Sequence, residues 1–99
     1  MATKKILVCS DSIPRLDQVH TWLHDSPKGY VVIRGDRLEK ARTQYEAMGF
    51  DLIINAGLHK DGGDEWIASI RERGRLILEV TNSLSENQFL NRVAQLLGD

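Results

Sequence analysis

Four short apolar runs divide the chain, and amphipathic stretches separate and follow them. The runs are residues 6–8, 30–33, 52–54 and 76–78, the last continued by Val80. Within each run the apolar residues are nearly continuous, which is typical of strands buried on both faces of a parallel sheet. The pattern therefore predicts four short parallel strands.

The stretches between and after these runs carry apolar residues three or four positions apart. This spacing places them on one face of a helix. The four predicted stripes are Ile13, Leu16, Val19 and Leu23; Leu38, Ala41, Tyr45 and Met48; Trp66, Ile67 and Ile70, ended by Gly74; and Phe89, Leu90, Val93, Leu96 and Leu97. Four helices are therefore expected to alternate with the four strands.

Capping patterns support these boundaries. Ser85 followed by Gln88 is a capping-box pattern, and Asp36 directly precedes the second stripe. The predicted fold is α/β, a single domain over residues 1–99 with the order βαβαβαβα. Right-handed crossovers favour an open parallel four-stranded sheet of strand order 2-1-3-4 with helices on both faces.

Composition narrows the possible partners and locations. Thirteen basic and fourteen acidic residues leave a net charge of -1 without a long block of either sign, so neither nucleic acid nor a membrane surface is expected as a partner. Cys9 is the only cysteine, and no long apolar stretch follows the N-terminus. Both observations favour a cytoplasmic location.

In parallel sheets, ligands bind beyond the carboxyl ends of the strands, where the winding direction changes. Residues 9–15 follow the first strand, residues 55–63 follow the third, and residues 81–83 follow the fourth. With the order 2-1-3-4, the first and third of these strands flank the change of direction. We therefore expect these three loops to form the functional edge.

The same segments resemble the receiver domain of two-component response regulators, which has a flavodoxin-like fold. The first strand through Asp11 and Ser12 is similar to the family's first strand and acidic pair, and Asp51 to Ile54 resembles the approach to its phosphoacceptor. Residues 77–81 resemble the strand that ends in its switch threonine, here Thr81. The resemblance implies a signalling module that works by binding another protein.

The departures from the family pattern imply that this site is degenerate. A receiver is phosphorylated on an aspartate, with a magnesium ion held by carboxylates and a lysine after the last strand. Here the phosphoacceptor position falls on Asn55 or Ala56, Ser10 replaces one acidic residue, and only Asp11 remains. Lysines occur only at positions 4, 5, 28, 40 and 60. We therefore expect a non-phosphorylatable pseudo-receiver without catalytic residues, metal or cofactor.

Cys9 supports an alternative from another functional class, in which the protein is a small phosphocarrier or phosphatase that acts through this thiol. It precedes a predicted helix N-terminus, which lowers a thiol pKa, and Cys9 and Arg15 have the spacing of the cysteine phosphatase loop. The IIB phosphocarriers of sugar phosphotransferase systems keep a cysteine at the same place. However, the intervening residues contain no glycine, and they include Asp11 and Pro14, which suit a phosphate loop poorly.

Two further possibilities are weaker. Ser10, Asp11, Asn55 and Thr81 could bind a nucleotide or a small anion without chemistry. His20 and His24 are four positions apart on one predicted helix, a spacing that can hold zinc, but a third ligand is required and Cys9 is too far along the helix axis.

The chain is also shorter than a typical receiver by about one βα unit of ~20–30 residues, and the sequence leaves open which unit is missing. Loss of a fifth strand would leave the fourth strand at an open edge. We therefore predict that the face made by strand 4 and helix 4 binds a protein partner or a second copy. The alternative is that helix 4 only folds its apolar stripe onto the sheet and that Arg75 and Glu79 blunt the open edge. Trp66 is expected to flank this face as an aromatic anchor.

Overall fold

The structure is a computed structural model, and it describes residues 3–81 and 83–98. The strands are β1 (Lys5–Cys9), β2 (Val31–Gly35), β3 (Leu52–Asn55) and β4 (Ile77–Glu79), and the helices are α1 (Ile13–His24), α2 (Leu38–Ala47), α3 (Gly63–Glu72) and α4 (Glu86–Leu97). A 3₁₀ turn, Lys60–Gly62, precedes α3. The predicted alternation of strands and helices is confirmed.

All described strand pairs are parallel, and the sheet order β2-β1-β3-β4 confirms the predicted topology. The central strands β1 and β3 are buried on both faces, as their continuous apolar runs predict, whereas β2 is only partly buried because it lies at an edge. β4 is the opposite edge and spans only three residues. None of the described helices is long and apolar enough to cross a membrane.

The helices divide between the two faces as right-handed crossovers require. The connection from β1 to β2 crosses the sheet in one direction, and those to β3 and β4 cross it in the other, so α1 lies on one face and α2 and α3 on the other. Two core clusters result. One holds Leu16 of α1 and the other holds Ala41 of α2 with Ile70 of α3.

The last helix is exceptional in its position. A right-handed connection from β4 to a further strand beyond it would place α4 on the face of α2 and α3. Instead, Phe89 and Val93 of α4 are fully buried in the cluster of α1, where the Phe89 ring lies 5.4 Å from that of Trp22. α4 therefore closes the α1 face, and no described strand pairs with the outer edge of β4.

Two expectations about individual residues are wrong. The N-cap of α2 is Arg37 rather than Asp36, and no side chain caps that helix, because the chain stays extended for one more residue before the first turn. Trp66 is buried between α2 and α3, where its ring packs edge-on against Tyr45 at 5.7 Å. It is a core residue and not an anchor beside β4. The capping box of Ser85 and Gln88 is confirmed.

Candidate functional site

The carboxyl ends of three strands lie side by side. Cys9 of β1 is in register with Asn55 of β3, and Asn55 is in register with Glu79 of β4. Because parallel strands end at the same edge of the sheet, the loops that follow them meet there. This edge contains most of the polar residues that the sequence predicts for a site.

Asn55 holds the centre of this edge. Its side-chain amide donates to Glu79 Oε2 at 2.8 Å, and its Oδ1 accepts from the backbone N–H groups of Gly57 at 3.2 Å and Leu58 at 3.0 Å. The residue is only 5% exposed. An amide that bonds to backbone N–H groups two and three residues later forms a turn, so Asn55 shapes the loop after β3. Both ends of the amide have partners within the chain.

The two sequence registers for the phosphoacceptor position differ clearly in the structure. Asn55 is the last residue of β3 and its side chain is polar, whereas Ala56 is buried in the apolar cluster of the α1 face. Neither side chain is a nucleophile. Of the two, only Asn55 presents a polar side chain at the strand end.

Glu79 was not among the residues that the sequence indicates. Its Oε2 accepts from Asn55, and its Oε1 accepts from Arg71 Nη2 at 2.5 Å, so the carboxylate joins β3, β4 and α3. Its position opposite Asn55 depends on the register of β3 and β4, which requires the fold. An acidic residue inside the apolar fourth run is the only sequence signal that could have identified it.

Ser10 occupies a fully buried position at the end of β1. Its hydroxyl donates to the Ala56 carbonyl at 2.8 Å and accepts from the Ser12 N–H at 3.0 Å. Ser10 therefore joins the loop after β1 to the loop after β3 through a neutral group. A carboxylate here would have no proton to donate to that carbonyl and would be buried without a counter-ion, which is unfavourable.

Asp11 is the remaining carboxylate of the expected acidic pair. Its Oδ2 accepts from the backbone N–H groups of His59 at 2.7 Å and Lys60 at 2.8 Å, while its own N–H donates to the Gly57 carbonyl at 3.1 Å. Asp11 thus holds the loop after β3 against the loop after β1. Within residues 3–81 and 83–98, no group of three or more His, Cys, Asp or Glu side chains is arranged to hold a metal ion.

His59 is a second residue that the sequence did not indicate. Its Nδ1 lies 2.8 Å from Asp64 Oδ1, and this hydrogen bond, together with the negative charge of Asp64, raises the pKa of His59. Both side chains are exposed. A histidine five residues before an acidic first helical turn is the sequence signal, but only the 3₁₀ turn between them brings the two side chains together.

Thr81 lies at the rim of this edge. Its exposed hydroxyl is 3.1 Å from that of Ser83, so its partner belongs to its own loop rather than to the Asn55 centre. Asn82, which the sequence places in the same loop, lies outside the described residues. The structure therefore gathers Ser10, Asp11 and Asn55 closely and leaves Thr81 beside them.

The thiol of Cys9 lies in the core and not at this edge. The residue is fully buried among the apolar side chains of the α2 and α3 face, and burial raises the pKa of the thiol to about 12. This is opposite to the lowered pKa that a phosphate-handling cysteine needs. Ser12 caps α1 by accepting from the Arg15 N–H at 3.5 Å, so residues 9–15 form a helix entry. The Cys9 alternative is not supported.

The other two possibilities also gain no support. The polar atoms of Ser10 and Asn55 are already hydrogen-bonded within the chain, and the negative charge of Asp11 repels an anion. His20 and His24 stack edge to face at 6.5 Å in a shallow depression that the ion pair of Arg34 and Asp17 also lines, and within the described residues no three His, Cys, Asp or Glu side chains are arranged to hold a metal ion.

Comparison with known proteins identifies the fold. Neither a family model nor a curated protein matches the chain. Among solved structures, it is similar to the chemotaxis response regulator CheY4 of Vibrio cholerae, with a TM-score of 0.78 and 18% identity over 97% of this chain and 100% of that one. A structure of the same protein crystallised at low pH gives a TM-score of 0.77 and 19% identity over the same shares. The chain therefore has the fold of a chemotaxis-type receiver domain.

Proposed function

We propose that residues 1–99 act as one non-phosphorylatable receiver-like module, which regulates signalling by binding a protein and not by catalysis. The resemblance to receivers also favours a cytoplasmic location. The observation that carries the proposal is the state of Asn55. At the strand end where a receiver needs a nucleophilic carboxylate, this chain has an amide with both ends used in internal hydrogen bonds.

Three other features support the loss of phosphorylation. Ser10 replaces a carboxylate with a buried neutral clamp. One carboxylate oxygen of Asp11 already accepts from two backbone N–H groups. A magnesium ion prefers several hard oxygen ligands, so this carboxylate binds it poorly. No lysine follows position 60, so the role of the lysine after the last strand is vacant. Ser10 and Asp11 thus hold the loops together without supplying the groups that phosphorylation needs.

The face made by β4 and α4 is the proposed binding surface. We infer that the missing βα unit lies between them, because α4 packs beside α1 and the likeness to CheY4 extends over that whole chain. Its loss leaves Leu76 at 44% exposure and Leu96 at 37%. A groove of about 530 Å³ runs along this face, lined by Ile77, Leu78, Glu79, Arg92, Gln95 and Leu96.

Intact-mass spectrometry tests the absence of phosphorylation. The chain is incubated with magnesium and a small phosphodonor, together with a phosphorylatable receiver that proves the donor active. We expect the added mass of a phosphoryl group on the receiver alone. A base-labile adduct on this chain, located by peptide mapping to Asp11 or Asp61, would contradict the proposal.

Co-purification from the native host tests the binding surface. Leu76→Lys places a charge on the proposed face, and Val31→Lys makes the same change on the opposite edge strand, where Val31 is similarly exposed at 40%. We expect bound proteins to be lost with the first variant and kept with the second. Equal retention by both variants would exclude the β4 and α4 face.

A further inference from the structure

The open edge of β4 offers hydrogen-bonding groups in a fixed pattern. Ile53 donates its N–H to the Leu76 carbonyl, and Val80 donates its N–H to the Asn55 carbonyl, both at 3.0 Å. Because backbone groups alternate in direction along a strand, those of Leu76, Leu78 and Val80 face β3. The backbone groups of Ile77 and Glu79 consequently point outward, where no strand within the described residues pairs with them.

The side chains of this edge divide between the two faces of the sheet. Ile77 packs with the α2 and α3 cluster, whereas Leu78 and Val80 pack with the α1 and α4 cluster. By the same alternation, Arg75 and Glu79 share the α3 face with Ile77. Their contacts agree, since Arg75 bonds to Tyr45 of α2 and Glu79 bonds to Arg71 of α3. Two opposite charges therefore flank Ile77 symmetrically on one face.

This arrangement is complementary to itself. The geometry points to a symmetric dimer in which β4 pairs antiparallel with β4 of a second copy about a twofold axis at Ile77, giving one eight-stranded sheet. The inference rests on the proposed function, because it names the occupant of the same face. In this register Ile77 bonds to Ile77 of the second copy, and Arg75 lies opposite Glu79 of the second copy, twice over.

The charges distinguish this register from its neighbours. Outward-facing residues must pair with outward-facing residues, so the register between the two copies can change only in steps of two residues. A shift about Leu78 would set Glu79 opposite Ile77 of the second copy, so neither Arg75 nor Glu79 would face an opposite charge across the strand pair, and Glu79 would keep only its contacts with Asn55 and Arg71 within its own chain. Opposite charges across a strand pair stabilise it, and the shifted register lacks this stabilisation. A guanidinium has five donors and Tyr45 uses one of those of Arg75, so donors remain for a partner.

The apolar face of the edge fits the same arrangement. In this register, Leu76 of one copy lies opposite Leu78 of the other, on the side of the sheet that α4 covers. The groove beside Leu78 and Leu96 is therefore open to the exposed Leu76 side chain of the second copy. Dimerisation would bury the two most exposed leucines of this face together and pair the outward backbone groups of Ile77, whereas the Arg75 N–H keeps its bond to the Ile70 carbonyl.

Sedimentation velocity over about 5 to 500 μM tests the dimer, since a short edge contact is expected to be weak. Arg75→Glu sets like charges opposite one another at two symmetric positions and should weaken the dimer about tenfold or more, whereas Arg75→Lys keeps the positive charge and should retain it. Glu79 is left unchanged in both variants, because it also contacts Asn55 and Arg71 within its own chain. Circular dichroism confirms that each variant is folded, and Val31→Lys is the control on the other edge.

Cross-linking tests the register separately. Ile77→Cys should be joined to its symmetry mate by a short bifunctional thiol reagent, because hydrogen-bonded antiparallel partners lie about 5.5 Å apart at their Cα atoms and their Cβ atoms are too far apart for an unstrained disulfide. Glu79→Cys should not, since its own symmetry mate lies four residues away along the strands. Cys9 is buried in the parent and does not interfere.

A strictly monomeric parent at the highest concentration would overturn the dimer. So would a dimer that Arg75→Glu leaves as strong as in the parent, or one that Arg75→Lys weakens as much as Arg75→Glu does. These results are distinguishable from failure of the proposed function, because the mass measurement tests phosphorylation and does not depend on self-association.

Discussion

Asn55→Asp tests the centre of the site most directly, because it places a carboxylate in a buried position beside the carboxylate of Glu79. The new carboxylate would lie where the Asn55 amide now donates to Glu79 Oε2 at 2.8 Å. One hydrogen bond is lost, and a negative charge at a position that is 5% exposed meets the half-exposed carboxylate of Glu79. We therefore expect the variant to be markedly less stable at neutral pH.

The size of the effect follows from the contact. Two unit charges about 4 Å apart repel by about 4 kcal/mol at an effective dielectric constant of about 20, and a lost hydrogen bond to a charged group adds about 1.5–3 kcal/mol. The positive charge of Arg71, which also contacts Glu79, offsets part of this. A net loss of about 2–5 kcal/mol is expected, which lowers the Tm of a domain of this size by about 10–30 °C.

The loss should depend on pH with a definite sign. The N–H groups of Gly57 and Leu58 would lower the pKa of the new carboxyl, but we expect repulsion by Glu79 and burial to outweigh them and to raise the folded pKa above the unfolded value of about 3.9. Near pH 4 the carboxyl is protonated and can donate to Glu79, so the variant approaches the parent. Stability is then lost as the pH rises through the folded pKa, because the unfolded state releases the proton more readily.

Thermal unfolding followed by circular dichroism at pH 5 and pH 7.5 measures this difference. The matched control is Asn55→Asp combined with Glu79→Gln, in which an amide can again donate to the carboxylate, and we expect it to recover most of the loss. A single variant as stable as the parent at both pH values would refute the Asn55–Glu79 contact. A double variant no better than the single one would refute repulsion as the cause.

Three smaller predictions concern individual residues. The pKa of His59, followed by NMR, should fall in Asp64→Asn, because the carboxylate that raises it is removed; an unchanged titration would contradict the contact. Cys9 should react with a thiol reagent only after denaturation, since the thiol is buried and burial raises its pKa to about 12; rapid labelling of the folded chain would contradict this and support a reactive thiol. Gly63→Ala should cost about 1–3 kcal/mol in chemical denaturation, because a Cβ there would lie 2.6 Å from a backbone oxygen. Gly49→Ala, which meets nothing within 4 Å, is its control.

Local patterns were sufficient to predict the elements and their order. Runs of apolar residues identify strands buried on both faces, and the stripe of Leu16, Val19 and Leu23 identifies an amphipathic helix, because each pattern depends only on neighbouring residues. The handedness of crossovers then restricts how such elements can be joined. The sheet order therefore followed from the sequence, and so did the absence of a nucleophile at Asn55 or Ala56.

Contacts between distant segments had to come from the tertiary structure. The pairing of Asn55 with Glu79 depends on strand register, and the attachment of Asp11 to the loop of His59 joins residues 48 positions apart. The thiol of Cys9 lies beside a helix start in the sequence, but the alternation of the strand turns it into the core. Its pKa is raised rather than lowered for that reason.

The last helix shows most clearly which features the sequence predicts and which only the tertiary structure shows. Its apolar stripe and capping box are written in residues 85–97, but the same stripe could pack on either face of the sheet. Only the packing of Phe89 and Val93 beside α1 shows that the chain passes from β4 directly to the closing helix. This position of α4 leaves β4 at an open edge. The position could not be predicted from the helix alone, because a helix in a protein is stabilised mainly by the surface that it covers and not by its own sequence.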